Sequence, residues 1–131
     1  MKCVVVDPLP LMRRILVNFV RACDCEEIAT AEDGPAALEA CDAETSLLIT
    51  AWNLPGMDGV ELTRKLRETE ETAKVRVLIV TPRNSREDLA LAREAGVNAY
   101  FLKPFSPELL RSRIERLLAE KTDRAEGREA A

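Results

Sequence analysis

Three side chains that can bind or react stand at the ends of apolar runs in this sequence. Asp7, Thr81 and Lys103 end the first, fourth and fifth of these runs. A carboxylate, a hydroxyl and an ammonium group can together form an ion pair or bind an anion. The matching position after the third run is Ala51, whose methyl group does neither. The central position of the candidate site is therefore a residue whose side chain has no reactive or polar group.

Short apolar runs bounded by turn residues predict five buried strands. They lie at residues 2–6, 27–31, 46–50, 74–80 and 98–102. Five helices are predicted between and after the strands. The first starts at Pro8 or Pro10, and the second is a short helix over 36–41. The last three are capped by Asp58, Ser85 and Ser106. The core face of the first helix is predicted to be Met12, Ile15, Leu16, Phe19 and Cys23.

Strands alternating with helices predict an α/β fold with a doubly wound parallel sheet. Right-handed crossovers bring the carboxyl ends of parallel strands to one edge, where open α/β sheets bind their ligands. The residues predicted to meet there are Asp7, Pro8, residues 50–53, Thr81, Pro82 and Lys103.

Composition limits the function classes. The chain has 131 residues, 47% apolar and 32% charged, with a formal net charge of -4. This predicts one globular domain over residues 1–120, followed by a charged tail or helix extension at 121–131. We expect neither nucleic acid nor a membrane as a partner, because the basic residues form no patch and no run reaches about 20 apolar residues. A cytoplasmic location is expected.

The four cysteines are Cys3, Cys23, Cys25 and Cys41, and the sequence has no histidine. Zinc sites that mix Cys with His are therefore excluded. We interpret the cysteines as small buried residues in a reducing compartment. A redox pair between Cys23 and Cys25 is the alternative.

Six stretches in register resemble the receiver domain of two-component response regulators, of the single-domain chemotaxis type. They are residues 5–15, 31–38, 52–59, 79–81, 95–100 and 102–105. The resemblance implies a flavodoxin-like fold with five strands in the order 2-1-3-4-5 and five helices. In that family an aspartate at the end of the third strand accepts a phosphoryl group from a histidine kinase. Acidic residues after the first strand help to hold Mg²⁺.

Carried over by position, the resemblance gives Asp7 as an acidic ligand, and Thr81 and Lys103 as phosphoryl contacts. Tyr100 matches an aromatic residue that reorients on activation, and Asn53 offers a backbone carbonyl to the metal. Asp7 and Lys103 could equally form only a structural ion pair. Trp52, beside the acceptor position, is interpreted either as a surface aromatic or as loop packing.

Three departures from the family pattern fall in the same site. Ala51 stands where the family has its phosphoacceptor, and Pro8 replaces the second acidic residue. Pro82 has no N–H to offer a phosphoryl oxygen. Thr50 is a poor substitute nucleophile, because no base stands beside it. We expect Mg²⁺ binding to be lost or very weak, no cofactor and no enzymatic activity.

The sequence thus predicts a degenerate pseudo-receiver that signals by binding a protein, through the face of the fourth helix, fifth strand and fifth helix. Residues predicted there are Tyr100, Arg86, Arg93 and Arg111. The partner could be a histidine kinase, another regulator or a second copy of the chain. One alternative is a sensor whose vacated pocket binds an anionic small molecule, and another is an engineered Asp-to-Ala form of a working receiver. A flavin or nucleotide enzyme is disfavoured, since the turn after the first strand has no glycine.

Overall fold

The computed structural model describes the backbone of residues 1–125 and the side chains of residues 1–119. Five strands alternate with five helices, in the order β1(Lys2–Val6), α1(Pro10–Ala22), β2(Glu27–Ala31), α2(Gly34–Ala40), β3(Thr45–Thr50), α3(Gly59–Glu68), β4(Arg76–Thr81), α4(Arg86–Ala95), β5(Ala99–Leu102) and α5(Pro107–Ala125). All neighbouring strands pair in parallel, in the order β2-β1-β3-β4-β5. The predicted doubly wound sheet is confirmed.

The sheet separates two hydrophobic layers, because successive strand residues point to opposite faces. Along β3, Leu48 packs with α2, α3 and α4, whereas Leu47 and Ile49 pack with α1 and α5. All three side chains are fully buried. Burial on both faces explains why the central strands β1, β3 and β4 read as nearly continuous apolar runs.

The start of α3 is fixed by its own side chains and by the end of β3. The Glu61 N–H donates to the Asp58 carboxylate at 2.8 Å, and the Asp58 N–H donates to the Glu61 carboxylate at 3.0 Å. This capping box confirms the predicted helix start. A Cβ on Gly59 would lie 2.5 Å from the Ala51 carbonyl oxygen, so only glycine allows this close approach.

The structure corrects several predicted boundaries and one core face. The first helix begins at Pro10, the second of its two predicted starts. Its fully buried residues are Leu16 and Val20, whereas the predicted core residue Ile15 is only partly buried. Val20 lies one turn after Leu16 and so faces the sheet with it. The second helix spans Gly34–Ala40 instead of the predicted 36–41, and it starts earlier because the Asp33 carboxylate caps its first turn.

The last helix continues through Ala125 and so includes the first residues of the predicted charged tail. Residues 126–131 of that tail lie outside the described part of the chain. Among residues 1–125, no helix combines the length and apolarity needed to cross a membrane.

Candidate functional site at the carboxyl edge of the sheet

The predicted site residues meet in one cavity of about 290 Å³ at the carboxyl edge of the sheet. Four strands supply its walls, because β1, β3, β4 and β5 all end there. The lining residues are Asp7, Pro8, Leu9, Ala51, Trp52, Asn53, Val80, Thr81, Pro82 and Lys103. All six residues predicted for the degenerate site are among them.

Asp7 is almost completely buried, and both of its carboxylate oxygens face donors. Oδ1 accepts the Leu9 N–H at 2.9 Å, and Oδ2 lies 4.0 Å from the Lys103 Nζ. The Arg13 guanidinium adds a donor to the Asp7 carbonyl at 2.6 Å. At 4.0 Å the ion pair is loose, and the Lys103 side chain is 25% exposed. Its ammonium group therefore keeps donors free to face the cavity.

The end of β3 has no nucleophile facing the cavity. Ala51 is 9% exposed, and its N–H donates to the Val6 carbonyl at 3.1 Å. The neighbouring Thr50 hydroxyl is fully buried and donates to the Ala51 carbonyl at 2.8 Å. Thr50 is thus engaged inside the fold, which agrees with its interpretation as a poor substitute nucleophile.

Thr81 ends β4 with its hydroxyl oxygen turned toward the following loop. It accepts the Arg83 N–H at 3.2 Å, across the intervening Pro82. The Thr81 carbonyl accepts the Lys103 N–H at 2.9 Å, which holds the ends of β4 and β5 together. The turn after β4 therefore uses its first available N–H for local structure.

The oxygen donors in this cavity do not fit Mg²⁺. This ion is held by several oxygen ligands in octahedral geometry. Asp7 is the only carboxylate among the described residues that line the cavity. Within the described chain, no group of three or more His, Cys, Asp or Glu side chains is placed to hold a metal.

Arg83 was not predicted, yet it joins three elements at the mouth of the site. Its guanidinium lies 4.8 Å from the centre of the Trp52 ring and donates to the Asn53 side-chain oxygen at 3.0 Å. It also lies 3.6 Å from the Asp88 carboxylate at the start of α4. One exposed loop arginine in a chain with 19 basic residues carries no sequence pattern that would identify it.

Tyr100 is half-buried beside this group. Its hydroxyl donates to the Arg83 carbonyl at 2.8 Å, and its ring meets Trp52 edge-on, with centroids 6.1 Å apart. Burial, and secondarily the Asp88 charge, raises the pKa of Tyr100. Trp52 is only 5% exposed, so loop packing is the correct interpretation of this residue.

Two of the three arginines predicted for the partner face lie on it, and the third does not. Arg86 and Arg93 are exposed on α4 as predicted. Arg111, however, lies against α1, where it lines a depression with Ile15 and Phe19. The helical rotation of α5 carries it off the predicted face. Apolar residues instead dominate the hollow beside β5, which is lined by Tyr100, Phe101, Leu102, Pro104, Phe105, Ser106 and Leu109.

Fold and site together define an α/β domain of the flavodoxin-like class, with a polar site at the carboxyl edge of its parallel sheet. The family model of the response regulator receiver domain matches residues 3–115. The chain belongs to this family and is a receiver domain of two-component signal transduction.

Named relatives agree with this assignment. The chain is 37% identical over 120 residues to chemotaxis protein CheY1 of Helicobacter pylori, covering 90% of this chain and 97% of that protein. It is 38% identical over 118 residues to chemotaxis protein CheY of Pseudomonas aeruginosa, covering 89% and 95%.

Solved structures show the same fold. The chemotaxis response regulator CheY4 of Vibrio cholerae superposes with a TM-score of 0.79 at 27% identity, covering 88% of this chain and 97% of that one. A CheY-like receiver domain protein of Methanospirillum hungatei superposes with a TM-score of 0.82 at 24% identity, covering 96% and 98%.

Proposed function

We propose that this receiver domain is not phosphorylated at its central position and acts by binding another protein. The observation that carries the proposal is the Ala51 methyl group at the cavity wall, where the family has its phosphoacceptor. A methyl group has no lone pair to attack phosphorus. The buried Thr50 hydroxyl donates to a backbone carbonyl instead of facing the cavity.

Asp7, Thr81 and Lys103 line the cavity, but two other groups that assist phosphoryl transfer in the family are missing. Phosphoryl transfer depends on a metal and on donors that stabilise the equatorial oxygens. Asp7 already accepts the Leu9 N–H, and Pro8 supplies no second carboxylate. Pro82 has no N–H, and the next N–H, that of Arg83, donates to Thr81. These losses support a binding module rather than an enzyme.

The partner face is held by contacts that need no phosphoryl group. Tyr100 is fixed by its hydrogen bond to the Arg83 carbonyl and by its edge contact with Trp52. We infer that α4, β5 and α5 present one arrangement to a partner at all times. Signal output would then follow the concentration of the domain or of its partner.

The partner we propose is a protein that buries the apolar residues beside β5. Leu102 and Leu109 are 44% and 64% exposed there, with the Arg86 and Arg93 charges on the adjoining helix. Receiver domains interact with histidine kinases and other proteins, so a kinase, another regulator or a second copy of this chain are the candidates. A cytoplasmic location fits its unlinked thiols.

The test is incubation with acetyl phosphate and Mg²⁺, followed by intact mass measurement. We expect the wild-type chain to gain no phosphoryl group. Ala51→Asp combined with Pro8→Asp restores the acceptor and a second acidic ligand, and it serves as the positive control. A wild-type adduct that hydroxylamine removes would overturn the proposal.

The same experiment addresses the idea that Ala51 is an engineered substitution. If Ala51 were the only defect, Ala51→Asp alone would phosphorylate as well as the double variant. We expect the single variant to react much more slowly, because Pro8 still supplies no metal ligand.

A second candidate function is an anion sensor. The loose pair between Lys103 and Asp7, beside a cavity of about 290 Å³, favours it. A thermal-shift series with phosphate, sulfate and small anionic metabolites tests it, with Lys103→Met as the control. Stabilisation that saturates in the wild type and disappears in Lys103→Met supports the sensor. Identical curves for both proteins exclude it.

A further inference from the structure

Two buried thiols lie against each other where the strands begin, at the end of the sheet opposite the cavity. Cys3 is in β1, and Cys25 is two residues before β2. Their Sγ atoms are 2.7 Å apart, and the residues are 0% and 3% exposed. The backbone carbonyl oxygens of Met1 and Glu27 each lie 3.5 Å from the Cys25 Sγ.

This separation is close to that of a covalent pair. A disulfide bond is about 2.05 Å long, so the two sulfur atoms need to approach by only about 0.65 Å. Cys25 precedes the paired residues of β2, where Lys2 is in register with Glu27 and Cys3 with Ile28. The Glu27 N–H also donates to the Met1 carbonyl at 3.4 Å, so the chain next to each cysteine is joined to the neighbouring strand.

We propose that Cys3 and Cys25 form an intramolecular disulfide when the protein meets a peroxide. The attacking thiolate of one cysteine breaks the O–O bond of hydrogen peroxide, becoming a sulfenic acid and releasing hydroxide, which takes up a proton to give water. The thiolate of the other cysteine attacks that sulfur, the S–S bond forms and the S–O bond breaks, and the departing hydroxide takes up a proton to give a second water. In sum, two thiols and one peroxide give one disulfide and two waters.

Access and proximity favour this product. The strand β2 is at the edge of the sheet, so opening it exposes Cys25 without disturbing the central strands. A small oxidant such as peroxide suits a site of this depth. The sulfenic acid would form next to the second sulfur, which favours closure over further oxidation.

The other two cysteines are placed differently. Cys41 packs in the layer formed by α2, α3 and α4, on the other side of the sheet. Cys23 is half-buried at the end of α1, with its Sγ 4.0 Å from the Arg111 carbonyl. The structure therefore favours the Cys3–Cys25 link over the Cys23–Cys25 pair expected as the alternative from the sequence.

The bond would close a covalent loop around α1. Cross-links that close a loop stabilise a protein chiefly by restricting its unfolded state. The residues that line the cavity at the carboxyl edge lie at the other end of the strands, so this inference does not depend on the proposed function. Oxidation would hold α1 and β2 against β1 while leaving the carboxyl edge of the sheet in place.

The test is peroxide treatment of the full chain, followed by intact mass measurement and non-reducing peptide mapping. Burial, followed by the hydrogen bond from Cys25, raises the pKa of the Cys3 thiol, so the reaction is run at alkaline pH. We expect the loss of two hydrogen atoms in mass, a single linked peptide pair containing Cys3 and Cys25, and reversal by dithiothreitol. The thermal midpoint should rise by about 5–10 °C.

Variants separate this site from the other thiols. Cys25→Ser should abolish the mass loss, whereas Cys41→Ser and Cys23→Ser should keep it. Mapping of the wild-type chain needs no variant, so the test stands even if Cys25→Ser folds poorly. Three results would overturn the inference: a link through Cys23, a disulfide between two chains, or added oxygen without a linked peptide.

Discussion

Replacing Arg83 with alanine removes three contacts that join the end of β3 to the start of α4. The guanidinium stacks 4.8 Å from the centre of the Trp52 ring and donates to Asn53 at 3.0 Å. It also pairs with Asp88 at 3.6 Å. The Tyr100 hydrogen bond goes to the Arg83 backbone carbonyl, so the substitution leaves that donor and acceptor in place.

The size of the effect follows from these contacts. An exposed cation–π contact contributes about 0.5–1 kcal/mol, a typical hydrogen bond about 0.5–1.5 kcal/mol, and an exposed ion pair about 0.2–1 kcal/mol. The Arg83 side chain is 40% exposed, which places each contribution near its lower limit. We therefore expect Arg83→Ala to lower the free energy of unfolding by about 1–2 kcal/mol.

Urea unfolding monitored by tryptophan fluorescence measures this loss directly. Trp52 is the only tryptophan in the chain, so its emission reports on the stacked guanidinium. Arg86→Ala, at an exposed position three residues further on, is the matched control and should cost no more than about 0.5 kcal/mol. If both variants lose the same free energy of unfolding and the native Trp52 emission does not change, the proposed stabilising role of the Arg83 side chain is refuted.

Three further predictions test the fold. Burial raises the pKa of the Cys41 thiol from 9.0 to about 11, so its contribution to stability is full below pH 9 and is lost as the pH rises toward 11. Cys41→Ser should flatten that part of the pH profile measured by denaturant unfolding. Gly59→Ala should cost about 1–3 kcal/mol, because its Cβ would lie 2.5 Å from the Ala51 carbonyl oxygen; unchanged thermal stability would contradict this contact. Leu48→Ala should cost about 2–5 kcal/mol in urea unfolding, whereas Leu109→Ala, at a 64% exposed position, should cost less than about 0.5 kcal/mol.

The three central strands β1, β3 and β4 could be predicted because they are buried on both faces. Burial forces continuous apolar runs, and turn residues bound them. Helix limits were harder to predict. The apolar stripe of α5 ends at Leu118, yet the helix continues to Ala125. The added segment is rich in Ala, Glu, Lys and Arg, which favour helix without a core contact.

The site was predicted as far as topology alone determines it. Asp7, Thr81 and Lys103 meet because parallel strands deliver their ends to one edge. Side-chain direction was not accessible in the same way. Arg83 reaches Trp52 through a loop conformation that no periodic pattern encodes, and Arg111 faces α1 because of the helical rotation of α5.

The electrostatics of the cavity explain why restoring the acceptor alone should not restore a working receiver. The charges of Asp7 and Lys103 largely cancel each other, and the buried Asp7 carboxylate also accepts the Leu9 N–H. A second carboxylate at position 51, which is 9% exposed, would add a charge that only the loosely held lysine could balance. An uncompensated buried charge is costly, and Mg²⁺ offsets that cost only where enough oxygen ligands hold it. The single Ala51→Asp variant should therefore be less stable than the wild-type chain, and adding Pro8→Asp should make its stability depend on Mg²⁺. Without bound Mg²⁺, a carboxylate at position 51 or at position 8 would be a negative charge with only Lys103 to balance it. The absence of both carboxylates is therefore physically consistent.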